Sequence, residues 1–237
     1  MVGGGPAGLL AAIYLARFRR TVAIIDAGHS RLIGIPRTRN FPGFPDGVGG
    51  KALLRALKAQ AARYPISTFR GQVEDLARTD RGFSVSWQAG QLSARLVLLA
   101  TGTSDVAPRM PHLDHAVAFG LLRYCPVCDG YEVIDREVGV VADGPRGIAE
   151  ALYLRHFTPH VTLFKVGTGP GFTAKEQRRL AAAGVRLAPG SVEHMAAWQD
   201  RVRIHHGGQE TLCESVYGAL GLQVHSSLAK ALGARPD

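Results

Sequence analysis

The chain has 237 residues, 46% of them apolar and 20% charged, with a formal net charge of +9. This composition excludes a disordered polar chain, and three cysteines exclude a disulfide-framework fold. No apolar run reaches the ~18 residues of a membrane span, and no dense basic run interleaved with aromatics marks a nucleic-acid surface, so neither membrane nor nucleic acid is an expected partner.

The opening predicts strand, turn and helix. Val2 is the stub of a first strand, and Gly3-Gly4-Gly5-Pro6-Ala7-Gly8 fills all three glycine places of G-x-G-x-x-G. Leu9, Leu10, Ile13 and Ala16 recur at helical spacing behind the loop. Residues 21–25 read as a buried strand ending at Asp26, 23 residues after Gly3, close to the interval of a βαβ nucleotide unit. In such a unit the backbone of Gly3, Gly5, Pro6, Ala7 and Gly8 approaches a pyrophosphate at a helix N-terminus, and Asp26 accepts hydrogen bonds from a ribose diol. With the loop opening at Gly3, no leader is expected before it and the expected location is cytoplasmic.

A Gly- and Pro-rich loop follows over 34–50 and contains Asn40-Phe41-Pro42-Gly43-Phe44-Pro45. Residues 51–64 read as a helix with Leu53, Leu54, Leu57 and Ala61 on one side. Alternation at 83–87 predicts hairpin strands, and the apolar run 96–100 predicts a strand ending in Ala100-Thr101-Gly102. Pro108 and Pro111 mark a crossing to a second unit. There 137–141 reads as a strand, Ala142-Asp143-Gly144-Pro145-Arg146-Gly147 as a second glycine turn, 148–156 as a helix and Val161–Lys165 as a strand. This second βαβ unit makes Gly144, Gly147 and Lys165 candidate nucleotide contacts. Residues 172–183 read as a helix; 202–204 and 215–220 read as strands.

Cys125-Pro126-Val127-Cys128 precedes that second unit and is followed by Asp129-Gly130-Tyr131-Glu132. Two cysteines at this spacing close a small, reversible disulfide, and the adjacent acid can pass a proton to a departing thiolate. A zinc site needs a second ligand pair. Cys213 stands alone and reads as a buried small hydrophobe, and His112 and His115 read as surface histidines, so no metal is expected. A redox pair and a dinucleotide loop in one chain predict a flavin-linked disulfide oxidoreductase.

The glycine loop, Asn40-Phe41-Pro42-Gly43-Phe44-Pro45, Ala100-Thr101-Gly102 and the Cys125 to Glu132 stretch, in this order, resemble the low-molecular-weight thioredoxin reductase family and its thioredoxin reductase-like relatives. The Cys-Pro-x-Cys form followed by Gly-Tyr-Glu resembles the divergent branch, which includes dithiol oxidases as well as reductases. The resemblance implies an α/β fold with two Rossmann-like, three-layer ββα domains. An FAD domain (1–108 and 222–237) would be interrupted by an NAD(P)H-binding-like domain (109–221) that carries the redox pair.

It further implies an FAD site lined by Gly3, Gly5, Gly8, Asp26, Asn40, Thr101 and Gly102. Cys128 would face the flavin, Cys125 would exchange with the substrate disulfide, and Asp129 would be the acid–base. NADPH would be the donor, a thioredoxin-like protein or small-molecule disulfide the acceptor, and the assembly a homodimer. Three departures from the family pattern carry expectations of their own. The short first strand should weaken FAD binding. With the missing closing Gly-Asp segment, it implies a chain truncated at both ends. Ala142 puts a methyl at the first glycine place of the second turn, and Lys165-Val166-Gly167-Thr168-Gly169-Pro170-Gly171 replaces the arginines that grip the 2′-phosphate of NADPH. Weak NADPH binding is therefore expected. Two alternatives stand beside the reductase: an NADPH-independent dithiol oxidase using oxygen, and an inactive remnant.

Overall fold

The structure is a computed structural model and describes residues 1–169 and 171–235. Pro170 of the second-unit loop, and residues 236–237 of the expected FAD-domain tail, lie outside the described residues. The chain folds into two units. Residues 1–35, 48–104 and the segment from 223 onward form the first; residues 36–47 and 105–222 form the second. The boundaries read from sequence, 108/109 and 221/222, thus differ from crossings at 104/105 and 222/223. The segment 36–47 groups with the second unit, where Arg39 Nη1 lies 3.8 Å from Glu132 Oε1.

The first unit begins with helix α1 (Pro6–Arg17) and strand β1 (Val22–Asp26). Pro6 at the first helical position is pre-set for helix, and Leu9, Ala12, Ile13 and Ala16 bury one stripe. Helix α2 (Gly50–Ala61), strand β2 (Ile66–Arg70), the strands β3 (Val73–Thr79), β4 (Gly82–Trp87) and β5 (Gly90–Ala94), and β6 (Thr103–Asp105) follow. Strand β1 pairs with β2 in parallel, from Val22 opposite Ile66 to Asp26 opposite Arg70. Helices α1 and α2 cover one face through Leu9, Ile13, Leu53 and Leu54 against Ile24. The antiparallel sheet β3-β4-β5 covers the other, with Leu76, Val85 and Trp87 against Val2 and Ile25. These are the three layers expected.

Val2 does the work of a strand. It bridges Ile25 on one side and Leu99 on the other. Its N–H donates to the Leu98 carbonyl at 2.9 Å, its carbonyl accepts from Ala100 N–H at 2.8 Å, and Gly3 N–H donates to Ile25 at 2.9 Å. The loop is therefore anchored on both flanks by Val2, the residue directly before it. The cost falls on its neighbour. Residues 96–100 do not form the continuous strand expected, because they have a single bridging residue to pair with, and Leu96 is 86% exposed.

The second unit holds α3 (Leu113–Ala118), β7 (Leu122–Arg123), α4 (Pro126–Asp129), β8 (Val138–Ala142), α5 (Pro145–Leu154), β9 (Val161–Lys165) and α6 (Ala174–Ala182). It continues through β10 (Arg186–Trp198), β11 (Arg201–His206), β12 (Gln209–Cys213) and β13 (Ser215–Gly218). Beyond it come β14 (Leu222–Val224) and α7 (Ser227–Ala231). A seven-stranded sheet runs in the order β12-β11-β10-β9-β8-β13-β7. Its central strands read as continuous apolar runs because both faces are covered, by Ile148, Leu154 and Leu180 on one side and by Met195, Ile204 and Ala116 on the other. Helix α6 opens on a capping box, with Thr173 Oγ1 accepting from Glu176 N–H and Glu176 accepting from Thr173 N–H. No helix among the described residues is long and apolar enough to cross a membrane.

Candidate active site

Cys125 and Cys128 form a disulfide, with their Cα atoms 5.2 Å apart. The turn that allows it is local: Cys125 caps α4, Pro126 occupies the first helical position, and the Cys125 carbonyl accepts from the N–H groups of Cys128 (2.9 Å) and Asp129 (3.2 Å). Cys128 is exposed and Cys125 half-buried. Gly130 follows because a Cβ there would fall 2.5 Å from the Phe157 ring. Asp129 is held from both sides. Arg123 Nη1 donates to its Oδ2 at 2.9 Å and Tyr217 Oη donates to its Oδ1 at 2.8 Å. Sequence reasoning singled out Asp129 and missed both partners. Arg123, two residues before Cys125, and a tyrosine inside the apolar run of β13 were the available signals.

The free cysteine, Cys213, is of a different kind. Cys213 is buried in the sheet, and burial pushes its pKa up to about 12. It is a packing group and does not act as a thiolate.

In the first unit, Gly3, Gly5, Pro6, Ala7, Gly8, Asp26, Thr101 and Gly102 come together at the ends of the parallel strands. Gly3 has φ +104°, and a Cβ there would lie 2.3 Å from the Ala100 carbonyl oxygen. A Cβ at Gly8 would lie 2.0 Å from the Gly3 carbonyl oxygen, so helix and loop meet backbone to backbone. Asp26 Oδ1 accepts from Gly4 N–H and Gly28 N–H, each at 3.1 Å, and its Oδ2 lies 3.4 Å from Lys58 Nζ. A glycine cradle at a helix N-terminus beside a fixed carboxylate suits the pyrophosphate and ribose of a dinucleotide.

His225, missed in the sequence, closes this end. Its N–H donates to the Gly102 carbonyl at 3.1 Å, its Nδ1 lies 2.9 Å from the Thr101 carbonyl, its Nε2 lies 3.0 Å from Ser104 Oγ, and its own carbonyl accepts from Thr101 Oγ1 at 2.6 Å. Asn40 is not brought to this group within the first unit. It lies in the 36–47 segment, where its Oδ1 accepts from Thr38 Oγ1 at 2.6 Å.

In the second unit, Gly144 and Gly147 stand at the start of α5 and Lys165 at the end of β9, opposite Ala142. Gly144 has open space where a Cβ would be, which leaves the turn accessible to a pyrophosphate. Ala142 is fully buried and its methyl faces α5, so it does not obstruct that approach as its place in the turn suggests. Lys165 Nζ is tied to its own surroundings: it donates to the Gly167 carbonyl at 2.8 Å and lies 3.4 Å from Ser191 Oγ. Arg178 and Arg179 are exposed on α6. The turn fits a dinucleotide backbone, and no arginine cluster follows β9 among the described residues.

A family model described as pyridine nucleotide-disulphide oxidoreductase matches residues 1–236. The chain belongs to this pyridine nucleotide-disulphide oxidoreductase family. Its relatives are thioredoxin reductases and proteins like them, as the motifs resemble. Thioredoxin reductase of Streptomyces clavuligerus is 28% identical over 214 residues, which is 89% of this chain and 64% of that protein. The crystal structure of HlmI superposes with a TM-score of 0.88 at 31% identity, covering all of this chain and 75% of that one. Thioredoxin reductase from Streptococcus pyogenes superposes with the same TM-score of 0.88 at 25% identity, covering all of this chain and 80% of that one. The chain spans between 32% and 64% of the length of the curated relatives it matches first. Membership in the pyridine nucleotide-disulphide oxidoreductases carries, as a general property of the family, the use of flavin and pyridine nucleotide.

Proposed function

We propose that the chain is an FAD-dependent disulfide oxidoreductase of thioredoxin reductase type, moving electrons from NAD(P)H through FAD and the Cys125–Cys128 pair to a protein or small-molecule disulfide. The observation that carries this reading is the closed disulfide at Cys125–Cys128, followed at once by Asp129, whose carboxylate is held by hydrogen bonds from Arg123 and Tyr217. Backbone N–H groups of Gly5, Ala7 and Gly8 would hold the pyrophosphate of FAD, Asp26 its ribose, and Thr101 and Gly102 the strand end beside it. Asn40 would add a contact from the 36–47 segment. Gly144, Gly147 and Lys165 would meet the nicotinamide nucleotide. Bound flavin supplies the two-electron relay between nucleotide and disulfide.

The chain's own part is thiol–disulfide exchange. Reduced Cys125 attacks the substrate disulfide, one substrate sulfur leaves, and a mixed disulfide forms. Cys128, the sulfur assigned to the flavin side, then attacks Cys125, expelling the second substrate sulfur and restoring the Cys125–Cys128 bond. Two thiols of the protein are oxidised and one substrate disulfide is reduced to two thiols. Asp129 carries protons from the attacking thiols to the leaving sulfurs. The acceptor is a thioredoxin-like protein or a small disulfide, and the enzyme acts as a homodimer in the cytoplasm. Val127 and Tyr131, 73% and 74% exposed beside the disulfide, offer apolar contact to such an acceptor.

A second reading rests on the tethered Lys165 and the lack of an arginine cluster after β9 among the described residues: a dithiol oxidase that bypasses NADPH, in which a dithiol and O2 give a disulfide and H2O2. FAD-loaded protein assayed with NADPH and glutathione disulfide, and separately with dithiothreitol and oxygen, tests both. NADPH oxidation that needs both Cys125 and Cys128 is the expected result. Oxygen uptake driven by dithiol with no NADPH oxidation favours the oxidase. Neither activity in yellow protein overturns both readings.

A further inference from the structure

Arg123 and Tyr217 are register partners on the adjacent parallel strands β7 and β13. Partners in register project to the same face of a sheet, and these two converge on one carboxylate. Arg123 is itself fixed. Its Nε lies 3.3 Å from Ser215 Oγ, and Ser215 Oγ donates to the Gly120 carbonyl at 2.8 Å. Gly120 leaves room for the guanidinium, since a Cβ there would fall 2.9 Å from Nη2. Tyr217 is fully buried, and its Oη also lies 3.3 Å from the Asp129 carbonyl. Burial first, then the charge and hydrogen bond of Asp129, drive the Tyr217 phenol well above its ordinary range, so it keeps its proton and acts as a fixed donor.

We propose that Arg123 and Tyr217 are positioning residues that hold the carboxylate of Asp129, the residue next to Cys128, in one orientation, and that proton delivery to a departing thiolate depends on this grip. The proposal rests on the acid–base reading of Asp129. One oxygen is engaged by a cation and the other by a neutral phenol. The phenol contact is the softer of the two, and Tyr217→Phe removes it while keeping the ring that fills the core.

The test uses the full chain and needs no flavin. Reduced protein is mixed with glutathione disulfide, quenched with acid, alkylated and weighed, which gives the rate at which the Cys125–Cys128 bond re-forms. The same is done with 4,4′-dithiodipyridine, whose leaving sulfur departs without a proton. Tyr217→Phe is expected to slow exchange with glutathione disulfide about tenfold and to leave the dipyridyl reaction within about twofold. Arg123→Met is expected to act in the same direction, with partial recovery in Arg123→Lys. In an Asp129→Asn background the Tyr217→Phe effect should vanish, because the group it acts through is gone.

Equal slowing with both disulfides, or an undiminished effect in the Asp129→Asn background, overturns the positioning role and leaves the acid–base reading standing. If Asp129→Asn alone leaves glutathione exchange unchanged, the acid–base reading fails and the positioning role with it.

Discussion

The methyl of Ala142 and the Cα of Gly147 are in direct apposition: a Cβ built at Gly147 would fall 2.0 Å from the Ala142 methyl carbon. That methyl fills the seam between β8 and α5 and leaves the nucleotide side of the turn clear. Ala142→Gly should therefore cost about 1–2 kcal/mol, from a lost buried methyl and a freer backbone, and should change nucleotide affinity less than about twofold. Denaturant melts and nucleotide titrations measure the two quantities. A large gain in affinity would return Ala142 to the role of an obstacle.

Nucleotide choice follows from Lys165. Its ammonium donates to the Gly167 carbonyl, so a 2′-phosphate would have to draw it away. Each hydrogen bond to a charged group is worth roughly 1.5–3 kcal/mol, or about tenfold to a hundredfold in affinity, and the sequence after β9 lacks the arginines that supply several. NADPH and NADH should bind with little difference, and Lys165→Ala should change their ratio less than about threefold. Strong NADPH preference lost on that substitution would refute this.

Gly8 carries a sharper prediction. A side chain there meets the Gly3 carbonyl at 2.0 Å, with backbone on both sides. Gly8→Ala should destabilise by on the order of 1–3 kcal/mol and abolish FAD capture, read as the loss of 450 nm absorbance after reconstitution and desalting. An alanine variant that binds FAD as well as the parent would show that the cradle is not the flavin's.

The three cysteines should report separately. At about pH 8 a thiol with a pKa of about 12 is only ~10⁻⁴ thiolate, so Cys213 in the folded protein should resist iodoacetamide. Mass spectrometry should find no label on folded oxidised protein, one after denaturation and three after denaturation with reductant.

Glu150 predicts a pH effect. Burial raises its carboxyl above the ordinary 4.5, against the pull of Arg146, and its Oε2 is buried with no hydrogen-bond partner among the described residues. A raised folded-state pKa favours the neutral form. The associated stability is complete below 4.5 and lost as pH rises through the raised value. Glu150→Gln should match the parent at about pH 4 and be more stable at about pH 7.5, because the Arg146 pair it gives up is half exposed and weak. Equal loss of stability at both pH values would contradict this.

Much of this architecture was legible because its signals are local. Glycine spacing, the apolar strand Val161–Lys165 and the C-x-x-C stretch depend on neighbours within a few residues, and β9 has the limits expected. Helix α5 starts at Pro145, three residues before the expected start, because proline at the first helical position opens a helix. The strand at 96–100 failed for the opposite reason, since a strand exists only with partners and Leu99 has Val2 alone on that side. The site divided in the same way. Cys125, Cys128 and Asp129 are consecutive enough to see. Tyr217 lies 88 positions from Asp129 and reaches it only through the register of β7 and β13, which no local pattern encodes.

The crossings at β6 and β14 have a practical meaning. The two strands pair, and Val106 N–H donates to the Gly221 carbonyl at 3.1 Å, so the segment 105–222 begins and ends within one hydrogen bond. A stretch whose ends already touch needs a turn of only about two to four residues to close on itself. The disulfide, its acid and the two strands that grip the acid all lie inside that stretch. Such a stretch should behave as a cassette, one to be lifted into another host protein or re-cut at a new terminus without breaking the sheet that shapes its chemistry.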